Sequence, residues 1–173
     1  MGRHKLFSYL CAVLWTFIEM KKHIFIAIAC CCFLCACHQE SNAELLHRDF
    51  YETLWERFDY VYNDVEIKEA TTFDLGLRIS FTEKYAYDDI TLVFTIFDAN
   101  GTPYRAKNYR FNLKDAEGQW KSQLTDGCYT FELPINHSLQ ITEPGTYRFQ
   151  IEYRMSKTPI LGVKSLTLYN TNN

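Results

Sequence analysis

Thr72-Phe73-Asp74-Leu75-Gly76-Leu77-Arg78-Ile79-Ser80-Phe81-Thr82 is the stretch that decides the fold class. Phe73, Leu75, Leu77, Ile79 and Phe81 fall on every second position, with polar or small residues between them. Successive side chains of a strand point to opposite faces of a sheet, so this pattern predicts a half-buried strand.

The same period recurs downstream. Asp89 to Asp98 places Ile90, Leu92, Phe94 and Ile96 on one face, while Val93 and Phe97 make the other face partly apolar, as in a central strand. Tyr109, Phe111 and Leu113 alternate with polar residues, as do Tyr129, Phe131 and Leu133, and Tyr147, Phe149, Ile151 and Tyr153. A last strand is expected over Val163 to Tyr169. Asp98-Ala99-Asn100-Gly101, Asp126-Gly127 and Pro144-Gly145 supply turn chemistry between these runs. Six or more short antiparallel strands without intervening helices predict an all-β chain. The expected architecture is an antiparallel β-sandwich, immunoglobulin-like or jelly-roll-like, with a closed barrel as the alternative.

Upstream, Leu45 to Val65 supports two readings. Leu46, Phe50, Leu54 and Phe58 recur every four residues, as on an amphipathic helix, whereas Phe58, Tyr60 and Tyr62 alternate as in a strand. Both stay open.

The first 37 residues differ in kind from the rest. They hold six of the seven cysteines and net charge +3, against −6 for the remaining 136 residues. Met20-Lys21-Lys22-His23 begins a basic segment followed by an apolar run of 14 residues ending at Cys37. That run falls short of the roughly 20 residues that cross a bilayer as a helix and fits the apolar core of a signal peptide. Leu34-Cys35-Ala36-Cys37 is similar to the bacterial lipobox: Leu at −3, a small residue at −1, and the cysteine whose thiolate takes the diacylglycerol. The expected organisation is therefore an upstream extension over 1–19, a lipoprotein signal over 20–36, lipidated Cys37 with a polar tether over 37–44, and one β-domain over 45–173. Met20 is the expected translation start; the alternative is that Leu6 to Ile18 forms an extra apolar segment, paired with the next as a helical hairpin.

An acylated Cys37 leaves Cys128 as the single thiol of the mature chain, so no internal disulfide forms. An acidic domain disfavours nucleic acid as the main partner. Catalytic and metal motifs are missing. His38, His47 and His137 show no metal-binding spacing, Asp98 to Gly101 fails the calcium-loop pattern at its flanking positions, and no nucleophile elbow or phosphate loop occurs. The expectation is no catalytic residue, no cofactor, no metal and no enzyme activity. Most of the 13 Phe and 12 Tyr fall on inward registers. Trp120, Tyr85 and Tyr87 remain as candidates for an exposed contact, with glycan stacking as the alternative use.

Several blocks of this chain have a recognisable character: Leu54-Trp55; Leu77-Arg78-Ile79 with Tyr85-Ala86-Tyr87-Asp88-Asp89-Ile90-Thr91-Leu92; Gly101-Thr102-Pro103; Leu113 to Trp120; and Pro144-Gly145-Thr146-Tyr147 through Met155 into Leu161-Gly162-Val163. Together they make the region from Tyr51 to Asn170 resemble the gliding-motility lipoprotein H (GldH) family of Bacteroidetes. The resemblance implies a lipoprotein of a cell-envelope assembly serving motility and adhesin secretion, without catalysis. It implies membrane lipid as one partner, through Cys37, and other envelope proteins as the rest. The expected location is a membrane of the cell envelope, the outer membrane being favoured, facing the periplasm or the cell surface.

Overall fold

The computed structural model describes residues 43–172. Cys37, the signal segment and most of the tether lie outside the described residues. The described chain forms eleven strands: β1 (Ala43–Asp49), β2 (Leu54–Trp55), β3 (Val61–Ile67), β4 (Thr71–Phe81), β5 (Asp89–Phe97), β6 (Pro103–Asn112), β7 (Leu124–Thr125), β8 (Cys128–Ile141), β9 (Gly145–Tyr153), β10 (Ile160–Leu161) and β11 (Val163–Asn170). A single 3-10 turn, Tyr51–Thr53, is the helical element among them.

Two antiparallel sheets carry the domain, one in the order β1-β11-β4-β8-β7 and the other β3-β9-β5-β6. Among the eight long strands, each step along the chain crosses from one sheet to the other, except the β5–β6 hairpin. That alternation is the jelly roll, so of the two expected sandwiches the jelly-roll-like one is observed. The open reading of Leu45 to Val65 resolves to extended structure: β1, the single turn, β2 and β3. The four-residue recurrence there is real, but Leu46, Phe50 and Trp55 meet the core from separate short segments.

Local patterning accounts for the core. From β4, Phe73, Leu75, Leu77, Ile79 and Phe81 turn inward, and Leu77 pairs with Leu168 and Leu133 on either side. From the facing sheet come Ile90, Leu92, Phe94 and Ile96 of β5 with Phe149 and Ile151 of β9. Phe149 meets Phe73 and Phe94 edge-on at 5.8 Å each, across and within the sheets. Edge-to-face rings add attraction beyond the area they bury.

Side chains close both flanks of the sandwich. On one, the Asn63 carboxamide donates to the Leu45 carbonyl at 2.8 Å, tying β3 to β1. On the other, Tyr109 and Tyr104 of edge strand β6 donate to the carbonyls of Ile135 and Gln140 on β8. Such bonds occupy acceptors that an open sheet edge would otherwise offer to another chain. Asp74 organises a bulge in the neighbouring strand β8, where the extra residue lies opposite it. Its carboxylate accepts the Ser138 N–H at 2.5 Å, and its carbonyl accepts the Thr171 N–H at 2.7 Å.

The topology sorts the connections into two groups. Residues 68–70, 98–102 and 142–144 make short turns at one end. Residues 50–60, 82–88, 113–127 and 154–162 make long connections at the other. β1 starts at the short-turn end, where Ala43 pairs with Asn170.

Candidate functional site

The long connections are built around a buried tryptophan. Trp55 is 0% exposed, with its ring 4.8 Å from Phe50 and 5.1 Å from Tyr153, edge-on to the latter. Its indole N–H donates to the Asp59 carbonyl at 2.7 Å. The Asp59 carboxylate in turn accepts from the Arg48 guanidinium of β1 at 2.9 and 3.2 Å. The 50–60 connection is thus held from below by packing and from the side by an ion pair.

Its backbone is strained. Glu52, Thr53 and Phe58 adopt φ of 51°, 58° and 65°. An L-residue enters this left-handed region at roughly 1–2 kcal/mol, and β-branched or bulky residues are uncommon there. The Thr53 hydroxyl oxygen is buried without a hydrogen-bond partner among the described residues. Strain of this kind persists where the surroundings over-determine it, and it concentrates at binding and switching sites.

Gly162 joins three connections. Its N–H donates to the Thr53 carbonyl at 2.8 Å, and its carbonyl accepts the Thr82 N–H at 2.8 Å. Its φ is +90°, and a Cβ there would lie 2.3 Å from the Tyr85 nitrogen, so glycine alone fits. The β2–β10 pair, Trp55 with Ile160 and Leu54 with Leu161, fastens the same connections together.

On this fixed base several apolar side chains face outward. Tyr51 is 85% exposed, Phe58 71% and Leu161 53%. The Arg57 guanidinium stands over the Phe58 ring at 5.2 Å. A small cleft of about 120 Å³ lies beside it, between Arg57-Phe58-Asp59 and Glu152 to Met155. Tyrosine and arginine are among the residue types that dominate binding energy at protein interfaces. Residue order leaves Phe58 in two open patterns, a four-residue recurrence and an alternation with Tyr60 and Tyr62, and its positive φ has no signature there. The outward set is therefore not legible in residue order.

Trp120, Tyr85 and Tyr87 come together as one aromatic cluster in the same group of connections. Tyr85 lies 5.4 Å from Tyr87 and 6.2 Å from Trp120, and Trp120 stacks on Tyr129 at 4.3 Å. Tyr85 is 2% exposed, packed on Phe81, with its hydroxyl donating to the Asp89 carbonyl at 2.7 Å. It is a core residue, which corrects the surface role expected from sequence. The Gly162 backbone and the Trp120 ring enclose it. Burial pushes its phenol far above the ordinary tyrosine range. Trp120 and Tyr87 are half-buried. Lys114 stands over the Trp120 ring at 5.0 Å and pairs with Asp88 at 3.3 Å.

Other titratable groups serve the framework. On the outer face of β4, the Tyr169 ring lies over Gly76, with a Gly76 Cβ position 2.5 Å from the ring. Glu132 accepts from the Tyr169 hydroxyl and from Arg78 at 2.5 Å. Burial, and then the bond to Glu132, push the Tyr169 phenol up to about 12. His47 bonds the Thr167 hydroxyl at 2.8 Å, and Cys128 is a half-buried free thiol. Among the described residues, no group of three His, Cys, Asp or Glu side chains is placed to hold a metal ion.

Comparison with known proteins adds the following. The family model described as GldH lipoprotein matches residues 46–168. No curated protein matches the chain. Among solved structures, a chain of infectious bursal disease virus (Gt strain) is 12% identical at a TM-score of 0.39, covering 75% of this chain and 32% of its own. Dimeric latent PorU from Porphyromonas gingivalis is 12% identical at 0.34, covering 75% of this chain and 11% of its own. A family 35 carbohydrate binding module from Clostridium thermocellum is 10% identical at 0.36, covering 75% of this chain and 98% of its own.

Proposed function

We propose that this chain, which belongs to the GldH lipoprotein family, is a non-enzymatic envelope lipoprotein whose long-connection end docks onto other envelope proteins. Lipid on Cys37, after cleavage of a signal over 20–36, anchors it to a membrane of the envelope, in the first place the outer membrane. A motility or secretion assembly is the expected setting.

The strained, braced connection that holds Tyr51 and Phe58 outward carries the docking reading. Ordering flexible side chains opposes association, and a preformed aromatic surface has little of that entropy left to lose. Connectivity supports the same picture. β1 starts at the short-turn end of the domain, opposite the aromatic end, and follows Cys37 by six residues in sequence. The 11 residues of β4 span about 35 Å at roughly 3.3 Å per residue, which sets the separation of the two ends. Multiple acyl chains make such an anchor effectively permanent, whereas one chain alone holds marginally.

Affinity capture from detergent-solubilised membranes tests docking. The wild-type protein is expected to retain specific envelope proteins that the Tyr51→Ala/Phe58→Ala variant loses. Equal retention by both, or no envelope protein above background, would overturn it. Anchoring has a separate test: Cys37→Ala should release the protein from membranes and remove the mass of the lipid. A variant that stays membrane-bound and unprocessed would show an uncleaved anchor instead.

A further inference from the structure

The outer face of the β3-β9-β5-β6 sheet carries a groove near the short-turn end, about 530 Å³ in volume. That is within the range of roughly 300–1,000 Å³ typical of small-ligand sites. Its walls come from Asp64 of β3, from Thr146, Arg148 and Gln150 of β9, and from Phe97, Asp98 and the 98–101 turn.

The geometry is fixed by pairing across strands. Asp64 sits opposite Arg148 in the β3–β9 ladder, and Arg148 donates to both its oxygens at 2.8 and 3.1 Å. The Tyr62 ring lies under the same guanidinium, 4.4 Å from its carbon. Asp98 is held by the hairpin turn, its Oδ1 accepting the N–H groups of Asn100 and Thr102 at 2.9 and 2.8 Å. Carboxylate, guanidinium and rings are therefore set before any ligand arrives.

That chemistry selects among ligands. Two carboxylates against one guanidinium leave the lining slightly acidic, which disfavours phosphate and other anions. Phe97 and Ala99 are too little apolar surface for an acyl chain or a large hydrophobic side chain. Thr146 and Gln150 each donate and accept, as do the two halves of the Asp64–Arg148 pair taken together. Donors and acceptors on adjacent strands, with the half-buried Phe97 ring in the lining and the Arg148-covered Tyr62 ring alongside, match vicinal hydroxyls and the apolar face of a pyranose. We infer that this groove binds a neutral glycan, at a place distinct from the aromatic docking end and independent of it. The ligand class is a hydroxyl-rich sugar, whether from the wall or from surface polysaccharide.

Saturation-transfer NMR on the full lipidated chain, in a detergent with no sugar headgroup, tests this. The probes are N-acetylglucosamine trimer for the wall source, mannotriose and galactotriose for surface polysaccharide, and inorganic phosphate as the anion control. At least one trisaccharide is expected to receive magnetisation, and phosphate is expected not to compete. Gln150→Ala should weaken the sugar signal roughly fivefold, the effect of one lost hydrogen bond. Ala99→Trp, at an exposed turn position, should abolish it by filling the groove while Asp64, Arg148 and Gln150 are all retained. Tyr51→Ala/Phe58→Ala should leave it unchanged, which separates this site from docking. No signal from any of the three sugars, a signal that survives Ala99→Trp, or displacement by phosphate would each overturn the inference.

Discussion

The two ends of this sandwich are made by opposite means. At the short-turn end, chain reversal is local: the 98–102 turn closes on its own Asp98, with the Gly101 N–H donating back to the Asp98 carbonyl at 2.9 Å. At the other end, reversal depends on partners distant in sequence, as Thr53 to Gly162 and Gly162 to Thr82 show. A local turn tolerates change because little else touches it. A surface assembled from four connections is rigid enough to present aromatic side chains, and correspondingly intolerant of substitution in its supports.

Trp55→Ala should have the largest effect. Removing a fully buried indole that also holds Asp59 is expected to destabilise by about 3–5 kcal/mol, read by denaturant unfolding. A loss under 1 kcal/mol would mean that the 50–60 connection is not supported as described. The two glycines then compare the ends directly. Gly101 and Gly162 both have positive φ, yet a Cβ at Gly101 meets nothing within 4 Å while one at Gly162 strikes the Tyr85 backbone. Gly162→Ala is expected to destabilise by about 3 kcal/mol or more, and Gly101→Ala by about 1 kcal/mol. Equal effects would erase the distinction between the ends.

Alkaline pH should act more gradually, through phenols held protonated by the fold. Tyr169 titrates at an ordinary 10.0 when unfolded and at about 12 when folded, and Tyr85 is shifted in the same direction. A raised folded value means full stabilisation below pH 10 and progressive loss as pH rises through 10 toward 12. Tyr169→Phe should flatten that decline in thermal melts taken from pH 9 to 12, and an unaltered slope would assign the decline elsewhere. The smallest effect on stability is expected from Phe58→Gly. Glycine relieves the positive φ, so Tm should hold or rise slightly while retention of envelope partners falls. A clear drop in Tm would show that Phe58 supports the fold instead of projecting from it.

How much was legible in the sequence differs by region for the same reason. β4, β5 and β9 alternate cleanly because each has one side chain set in the core, and their residues were readable as strands. β8 runs to Ile141, past the Pro134 that interrupts its pattern, because bulges opposite Asp74 and Leu75 absorb the irregularity. β6 is exposed along most of its length, so its first half shows no buried face to recognise. At the candidate site, the sequence points to Trp120, Tyr85 and Tyr87 together, and the three rings form one cluster. Their exposure was not readable, since it depends on which other connection covers each ring.

Residue order alone determined the all-β character, the inward set of each long strand and the position of the local turns. These follow from a two-residue period and from turn chemistry, which act over a few residues. Tertiary structure decided the jelly-roll strand order, the extended state of Leu45 to Val65, the burial of Tyr85 and the exposure of Phe58. Each of those depends on contacts between residues far apart in the chain, such as Gly162 with Tyr85 or Trp55 with Tyr153, and no local pattern encodes which distant segment will arrive.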